Sequence, residues 1–193
     1  MALPPLREKI GFFPQHIAGG TETLVLKEHV MSLSGDSFSI KTADGRPVFQ
    51  VKGDVLSLSG RKHLMDEKGE PIFDIRKEHL TFHTTYYCED PSGKKIFEVG
   101  SKFSPLGSKA VATFTSFDGK AKELEMKGDW LEVSANIVDL STGEVVAKID
   151  RTLLSGKDIF FGQQTYALTI AKGADMALMV AMVIALDEKK EKK

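Results

Sequence analysis

The run "MALMVAMVIAL" at residues 176–186 decides the fold, because each of its eleven side chains is apolar. A helix needs about 20 residues to cross the hydrocarbon core of a bilayer, and eleven residues rise only about 17 Å. Asp175 suits the amino end of such a helix, and Lys189 and Lys190 suit its carboxyl end. A helix this short and apolar all round must be enclosed by the rest of the protein.

Five similar units precede this helix, and each has an alternating run, a polar turn with a glycine, and a second alternating run. The turn glycines lie 24, 24, 26 and 24 residues apart, at Gly45, Gly69, Gly93, Gly119 and Gly143. In the first unit Phe38 and Ile40 alternate with polar residues before the turn, and Phe49 and Val51 do so after it. Such alternation around glycine turns predicts β-hairpins with one buried face, giving roughly a dozen strands.

A closed barrel accounts for both the hairpins and the apolar helix. An open sheet of about twelve antiparallel strands would expose two edges, and closure removes them. A barrel of more than about eight strands leaves interior space that a helix about 10 Å across can fill. We therefore predict a mainly β fold: a closed antiparallel barrel of about twelve strands around the carboxyl-terminal helix. The alternative is a two-layer β-sandwich with the helix against one face, which would require a polar helix face.

Composition indicates one domain, with a net charge of −1 and 27% charged residues in 193. We expect a flexible, Pro- and Gly-containing lead-in at 1–21, the barrel at 22–188 and a charged tail at 189–193. A lone cysteine, Cys88, favours a reducing compartment. The charged residues near the start do not suit a secretory signal. The expectation is a cytoplasmic protein, with peripheral membrane or nuclear placement left open.

Three strings carry a resemblance to a known family: "VLSLSGRKHLMDEKGEPIFDIR" (55–76), "GDWLEVSANIVDLSTGEVVAKIDR" (128–151) and "GADMALMVAMVIALDE" (173–188). Over about 22–188 the chain resembles the LURP-one-related family, whose fold is similar to the carboxyl-terminal domain of Tubby proteins and to phospholipid scramblases. The resemblance implies a twelve-stranded barrel around a central helix. Tubby domains bind phosphoinositides and scramblase-like proteins associate with phospholipid membranes, so we expect a non-catalytic module that binds phosphoinositide or other anionic phospholipid headgroups. The alternative is a protein-interaction scaffold in a stress or defence response, without a lipid ligand.

No basic motif matches the Tubby lipid site residue by residue, so a headgroup site must be sought among basic residues near the turns. The hypothetical basic rim comprises Arg61, Lys62, Arg76, Lys77, Lys94 and Lys95. If neighbouring hairpins bring several of these residues to one barrel end, they would bind a phosphorylated headgroup. The opposite interpretation is a solvated rim in which carboxylates are interleaved with the lysines.

Catalytic and metal chemistry finds little support in the residue pattern. His79 and His83 stand about 13 Å apart on a strand, too far to share one ion. Cys88 has no cationic neighbour in sequence and is interpreted as a structural thiol. We therefore expect no catalytic residues, metal or cofactor, and hence no enzyme. We also expect no transmembrane segment, and no nucleic-acid partner, because the aromatic residues fall mainly at core positions.

Overall fold

The computed structural model describes residues 2–29, 37–54, 61–78, 85–104, 107–129, 134–150 and 165–190. Within these residues the chain forms a short 3-10 helix at Pro14–His16, twelve strands and an α-helix, α1, at Met176–Lys190. The strands are β1 (Glu22–His29), β2 (Ser37–Thr42), β3 (Pro47–Gly53), β4 (Lys62–Asp66), β5 (Pro71–Lys77), β6 (Tyr86–Glu89), β7 (Lys95–Ser104), β8 (Gly107–Thr115), β9 (Ala121–Asp129), β10 (Ser134–Asp139), β11 (Val145–Asp150) and β12 (Thr165–Ile170).

The strands close into a single antiparallel barrel. Each strand pairs with the next one along the chain, and β1 also pairs with β12. Among the described strands, closure leaves no edge unpaired, which removes a template for aggregation. The predicted twelve-stranded barrel is confirmed, and the sandwich alternative is wrong because two stacked sheets would not share one closed hydrogen-bonding order.

The alternation predicted for the hairpins lines the barrel interior. Phe38 of β2 lies opposite Val51 of β3, which in turn lies opposite Leu64 of β4. All three side chains are buried. The turn glycines that separate the paired strands have φ between 74° and 91°, a region that other residues rarely adopt. The sequence repeat therefore corresponds to a physical repeat of inward-facing apolar side chains and tight turns.

Helix α1 fills the barrel, as the apolar run predicted. Its residues 177–185 are each at most 3% exposed and join the inward-facing strand residues in one core cluster. The helix continues through Lys190, beyond the apolar run, because Glu188, Lys189 and Lys190 are favourable helix residues. Within the described part of the chain, no helix is long and apolar enough to cross a membrane.

The barrel has two ends that differ in construction. The turn end carries the five glycine turns and the start of α1, because β12 runs towards this end before the helix begins. The loop end lies opposite, where β3 and β5 end and β4 and β6 begin. The two ends place residues from different hairpins together, so they determine which predicted site residues can meet.

The N-terminal segment, residues 2–21, lies across the turn end. Ile10 donates its backbone N–H to Gly173 O at 2.9 Å, and Ala18 donates to Ala174 O at 2.9 Å. Both side chains are 2% exposed. We expected a flexible lead-in at 1–21, and the structure gives residues 2–21 these contacts with the turn before α1. The proline and glycine content of the segment suggested loose structure. Composition does not show that Ile10 and Ala18 can pack against the turn before α1.

Candidate functional site

The six residues of the hypothetical basic rim do not gather at one end of the barrel. Arg61 and Lys62 at the start of β4, and Arg76 and Lys77 at the end of β5, lie towards the loop end. Lys94 lies in the glycine turn before β7 and Lys95 begins that strand, so both belong to the turn end. The sheet topology therefore places four of the six at the loop end and starts the other two from the turn end, although the Lys95 side chain reaches the Tyr87 ring that Arg76 also contacts.

Arg61 and His63 are held by carboxylates on the outside of the sheet. The Arg61 guanidinium forms an ion pair with Asp74, in which Nε donates to Oδ2 at 2.9 Å. His63 Nδ1 lies 2.6 Å from Asp74 Oδ1, and its Nε2 lies 3.1 Å from Asp54 Oδ1. A neutral imidazole can donate to only one of these two carboxylates, whereas an imidazolium donates to both.

Arg76 and Lys95 continue this arrangement around Tyr87. The Arg76 guanidinium donates to both carboxylate oxygens of Glu89, at 3.0 and 3.3 Å, and these hydrogen bonds raise the pKa of Arg76. The Lys95 ammonium pairs with Glu78 and Glu98. Arg76 and Lys95 lie 5.9 and 5.1 Å from the centroid of the Tyr87 ring. The ring therefore contacts two cations whose charges are already matched by carboxylates.

The ion pairs described on this surface involve more carboxylates than cations. We define the outer-face network as three cations and five carboxylates, together with His63: Arg61, Arg76, Lys95, Asp54, Asp74, Glu78, Glu89 and Glu98. Its net charge is −2 when His63 is neutral. Within this network of described residues, an anionic headgroup would meet more carboxylates than cations.

The remaining rim residues have different surroundings. Lys62 is only 4% exposed, and its ammonium lies 4.9 Å from the centroid of the Phe38 ring inside the barrel wall. Lys77 is half-buried at the end of β5. Lys94 is exposed, and its backbone N–H donates to Asp90 in the turn. Lys62 thus belongs to the interior rather than to a solvent-exposed rim.

Of the three residues considered for catalytic or metal chemistry, the structure places one. Cys88 lies on β6 and is 1% exposed, and burial raises the pKa of its thiol well above the ordinary value. This favours the neutral thiol over the reactive thiolate. His79 and His83 lie outside the described residues. Among the described residues, no group of three or more His, Cys, Asp and Glu side chains could hold a metal ion.

Asp175 joins the N-terminal segment to the start of α1. Its Oδ2 accepts the backbone N–H groups of Phe12 and Phe13, both at 2.9 Å, and its Oδ1 accepts that of Ala177 at 2.9 Å and that of Leu178 at 3.3 Å. Burial raises the pKa of this carboxyl, and the backbone hydrogen bonds oppose that effect. The position of Asp175 before the apolar run predicted that it suits the amino end of the helix. It did not predict that Phe12 and Phe13 would also donate to its carboxylate.

A cleft of about 550 Å³ opens beside this junction at the turn end. We call it the turn-end cleft; the lining residues that matter chemically are His16, Glu22, Arg46, Phe49, Asp66 and Met176. A smaller cleft of about 330 Å³ follows β2 and β3, and its lining carries lysines but neither carboxylate nor histidine. The turn-end cleft therefore offers the more varied recognition chemistry of the two.

His16 is the residue of this cleft that sequence reasoning missed. It ends the short 3-10 helix, is half-buried, and its ring lies 5.4 Å from the Phe49 ring and 5.9 Å from the Phe13 ring. Burial lowers the pKa of His16, although the charges of Asp175 and Asp66 act in the opposite direction. A lone histidine in an apparent lead-in carries no sequence pattern that would have identified it.

Comparisons with known proteins agree with this architecture. A family model described as LURP-one-related matches residues 22–187. Protein LURP1 of Arabidopsis thaliana is 25% identical over 172 residues, covering 86% of this chain and 82% of that protein. Protein LURP-one-related 15 of the same plant is 23% identical over 181 residues, covering 91% and 83%.

A solved structure has a similar fold. The X-ray structure of a protein from Arabidopsis thaliana superposes with a TM-score of 0.59 at 17% identity, covering 92% of this chain and 96% of that one. At this identity the likeness concerns the fold alone, and the fold it supports is the closed barrel with its carboxyl-terminal helix.

Proposed function

The chain belongs to the LURP-one-related family, and on that premise we propose that it is a non-catalytic binding module whose ligand is another protein. The observation that carries the proposal is the outer-face network. Its three cations are paired with carboxylates and the network has a net charge of −2, so the surface suits a polar protein partner better than a phosphorylated headgroup.

The non-catalytic part of the proposal is supported by the state of the chain's cysteine. Cys88 is the lone cysteine of the sequence, and its thiol is buried with a raised pKa. Nucleophilic catalysis by cysteine needs an accessible thiolate. A rigid closed barrel with a filled core is suited to present a surface rather than to enclose a substrate.

A vesicle flotation experiment tests the choice of ligand. The purified protein is mixed at low ionic strength with phosphatidylcholine vesicles, with and without phosphatidylinositol bisphosphate. We expect the protein to stay with the soluble fraction in both cases. Binding that requires the phosphoinositide and weakens steeply as salt rises to about 0.15 M would overturn the proposal, because screening acts on contacts between lysine and phosphate.

A matched pair of variants tests the protein partner. Glu98→Lys reverses one exposed charge of the outer-face network, whereas Glu70→Lys makes the same change in the exposed turn between β4 and β5. A partner recovered by the wild type and by Glu70→Lys, but lost with Glu98→Lys, would support binding at this face. A partner retained equally by all three proteins would argue against it.

A phospholipid headgroup remains a second candidate, favoured by one observation. The pairing of β4 with β5 brings Arg61, Lys62, Arg76 and Lys77 towards the same end of the barrel. Lys77 is half-buried there and is the residue to change first. If vesicles do bind the protein, Lys77→Gln should weaken binding while Lys94→Gln, at the opposite end, should not. Equal effects of the two changes would argue against a headgroup site at the loop end.

A further inference from the structure

The turn-end cleft is built from at least five separate parts of the chain. His16 comes from the N-terminal segment, Glu22 from β1, Phe49 from β3 and Asp66 from the end of β4, with Met176 at the start of α1 completing the lining. Each part is fixed by the barrel or by the contacts of the N-terminal segment. The cleft is therefore preformed, so a ligand would bind it without a large ordering cost.

Charges of both signs line this cleft, but its half-buried charges are carboxylates. Arg46, Glu67 and Lys68 are exposed, whereas the carboxylates Glu22 and Asp66 are half-buried. Asp66 Oδ1 accepts the backbone N–H groups of Lys68 and Glu70, which holds that side chain in place. A cation that enters the cleft thus meets the half-buried carboxylates of Glu22 and Asp66, and partial burial strengthens such an attraction relative to the open surface.

His16 adds a neutral acceptor to these carboxylates. Within the described part of the chain, neither ring nitrogen of His16 has a hydrogen-bond partner, so the imidazole is available to a ligand. Its lowered pKa favours the neutral ring near neutral pH, which does not repel a cation and can accept a hydrogen bond from one. Phe49 and Met176 supply apolar surface beside these polar groups.

We propose that the turn-end cleft binds an alkylammonium or guanidinium group carried by a lysine or arginine side chain of the partner protein. Glu22 and Asp66 would pair with the cation, His16 would accept a hydrogen bond from it, and Met176 would contact its alkyl stem. The inference rests on the proposed function, because it supplies the chemistry by which a protein partner would be recognised. An anionic ligand would instead meet both carboxylates.

The experiment uses the full chain and a small probe. The protein is labelled at its methionine methyl groups, and the Met176 resonance is identified from a Met176→Leu sample. Acetyl-lysine methylamide, with a free side-chain ammonium, should shift the Met176 methyl resonance in a saturable manner. The same compound acetylated on its side-chain nitrogen has no charge and should shift it far less.

One variant and one control test whether the cation binds in the cleft. Glu22→Gln removes one half-buried carboxylate of the lining and should weaken binding of the lysine probe about tenfold, the loss expected for a charge-assisted contact. Glu70→Gln removes an exposed carboxylate outside the lining and should leave binding unchanged. No saturable shift with the lysine probe, or equal shifts with its uncharged counterpart, would overturn the proposal.

A second probe distinguishes a protein side chain from a free polyamine as the source of the cation. A free polyamine such as spermidine should bind no more tightly than a lysine-containing peptide if the natural ligand is a protein side chain. Much tighter binding of spermidine would overturn the protein source while keeping the cation site. The probe experiment contains no vesicles, so its failure would overturn the cation site without changing the flotation result. Vesicle binding in the flotation experiment would overturn the proposed protein ligand without changing the result of the probe experiment.

Discussion

Two polar regions of this protein place their charges in opposite ways. At the turn end, the single carboxylate of Asp175 is 0% exposed and accepts four backbone N–H groups. In the outer-face network, eight charged side chains pair mainly with one another at the surface; the Arg76 side chain, for example, is 32% exposed. The first region is satisfied by the main chain, and the second by side chains that water can also reach.

The difference indicates that the Asp175 region contributes to folding stability, whereas the outer-face network contributes to recognition. A buried carboxylate that loses its hydrogen-bond donors suffers the full cost of desolvation. The same holds for buried N–H groups that lose their acceptor. Exposed ion pairs exchange readily with water and contribute little to folding. We therefore expect changes inside the barrel and at Asp175 to alter folding, and changes on the outer face to alter binding. The following predictions test this comparison, from the largest expected effect to the smallest.

The largest effect should come from a charge placed in the core helix. Val180 is 0% exposed in α1, so Val180→Asp would bury a carboxylate with no partner and should cost more than about 4 kcal/mol. Leu140→Asp is the matched control because Leu140 is 43% exposed. Circular dichroism and denaturant titration should show an unfolded first variant and a folded control. A folded Val180→Asp protein would contradict the enclosed helix.

Removal of the Asp175 carboxylate should have the next largest effect. Asp175→Ala leaves the N–H groups of Phe12, Phe13, Ala177 and Leu178 without their acceptor, at an expected cost of about 2–4 kcal/mol. Urea titration measures the loss. Asp118→Ala, in an exposed turn, serves as the control and should change the unfolding free energy very little. Equal effects would erase the distinction between the two regions.

Alkaline pH should reveal the buried thiol of the barrel wall. Because burial raises the pKa of Cys88 above the ordinary 9.0, the folded state keeps a proton that the unfolded state releases. Stability from this thiol is present below about pH 9 and is lost as pH rises, by up to about 1.4 kcal/mol per pH unit. Urea titrations near pH 8 and pH 10 should show a smaller decline for Cys88→Ala. Parallel declines would contradict the burial of the thiol.

The smallest effect should come from the outer face. A double-mutant cycle on Arg76 and Glu89, each changed to Gln, should give a coupling energy below about 1 kcal/mol, because water competes with this ion pair. Chemical denaturation of the four proteins measures it. A coupling several times larger would make the outer-face network a folding element and would weaken the case for its role in recognition.

Much of the fold could be predicted from local patterns. The period-two alternation around Phe38 and Phe49 predicted strands, the turn glycines predicted hairpins, and the apolar run at 176–186 predicted an enclosed helix. Each pattern reports burial through residues that are close in sequence. The N-terminal segment was missed because its contacts join residues far apart, as in the hydrogen bond from Phe12 to Asp175, 163 positions away.

The candidate site depended far more on the assembled barrel. The sequence supplied the basic residues, but not the carboxylates that face them: Arg61 meets Asp74 and Arg76 meets Glu89 across neighbouring strands, each pair 13 positions apart. The turn-end cleft likewise exists only once His16, Glu22 and Asp66 have been brought together.

The sequence by itself determined that an all-apolar helix must be surrounded by a wall of hairpins, because periodicity and hydrophobicity are local properties. Tertiary structure decided which charges meet, which end of the barrel each residue occupies and how the N-terminal segment caps the helix. Electrostatic pairing depends on distances of a few ångströms between remote residues, and closure of the barrel sets those distances.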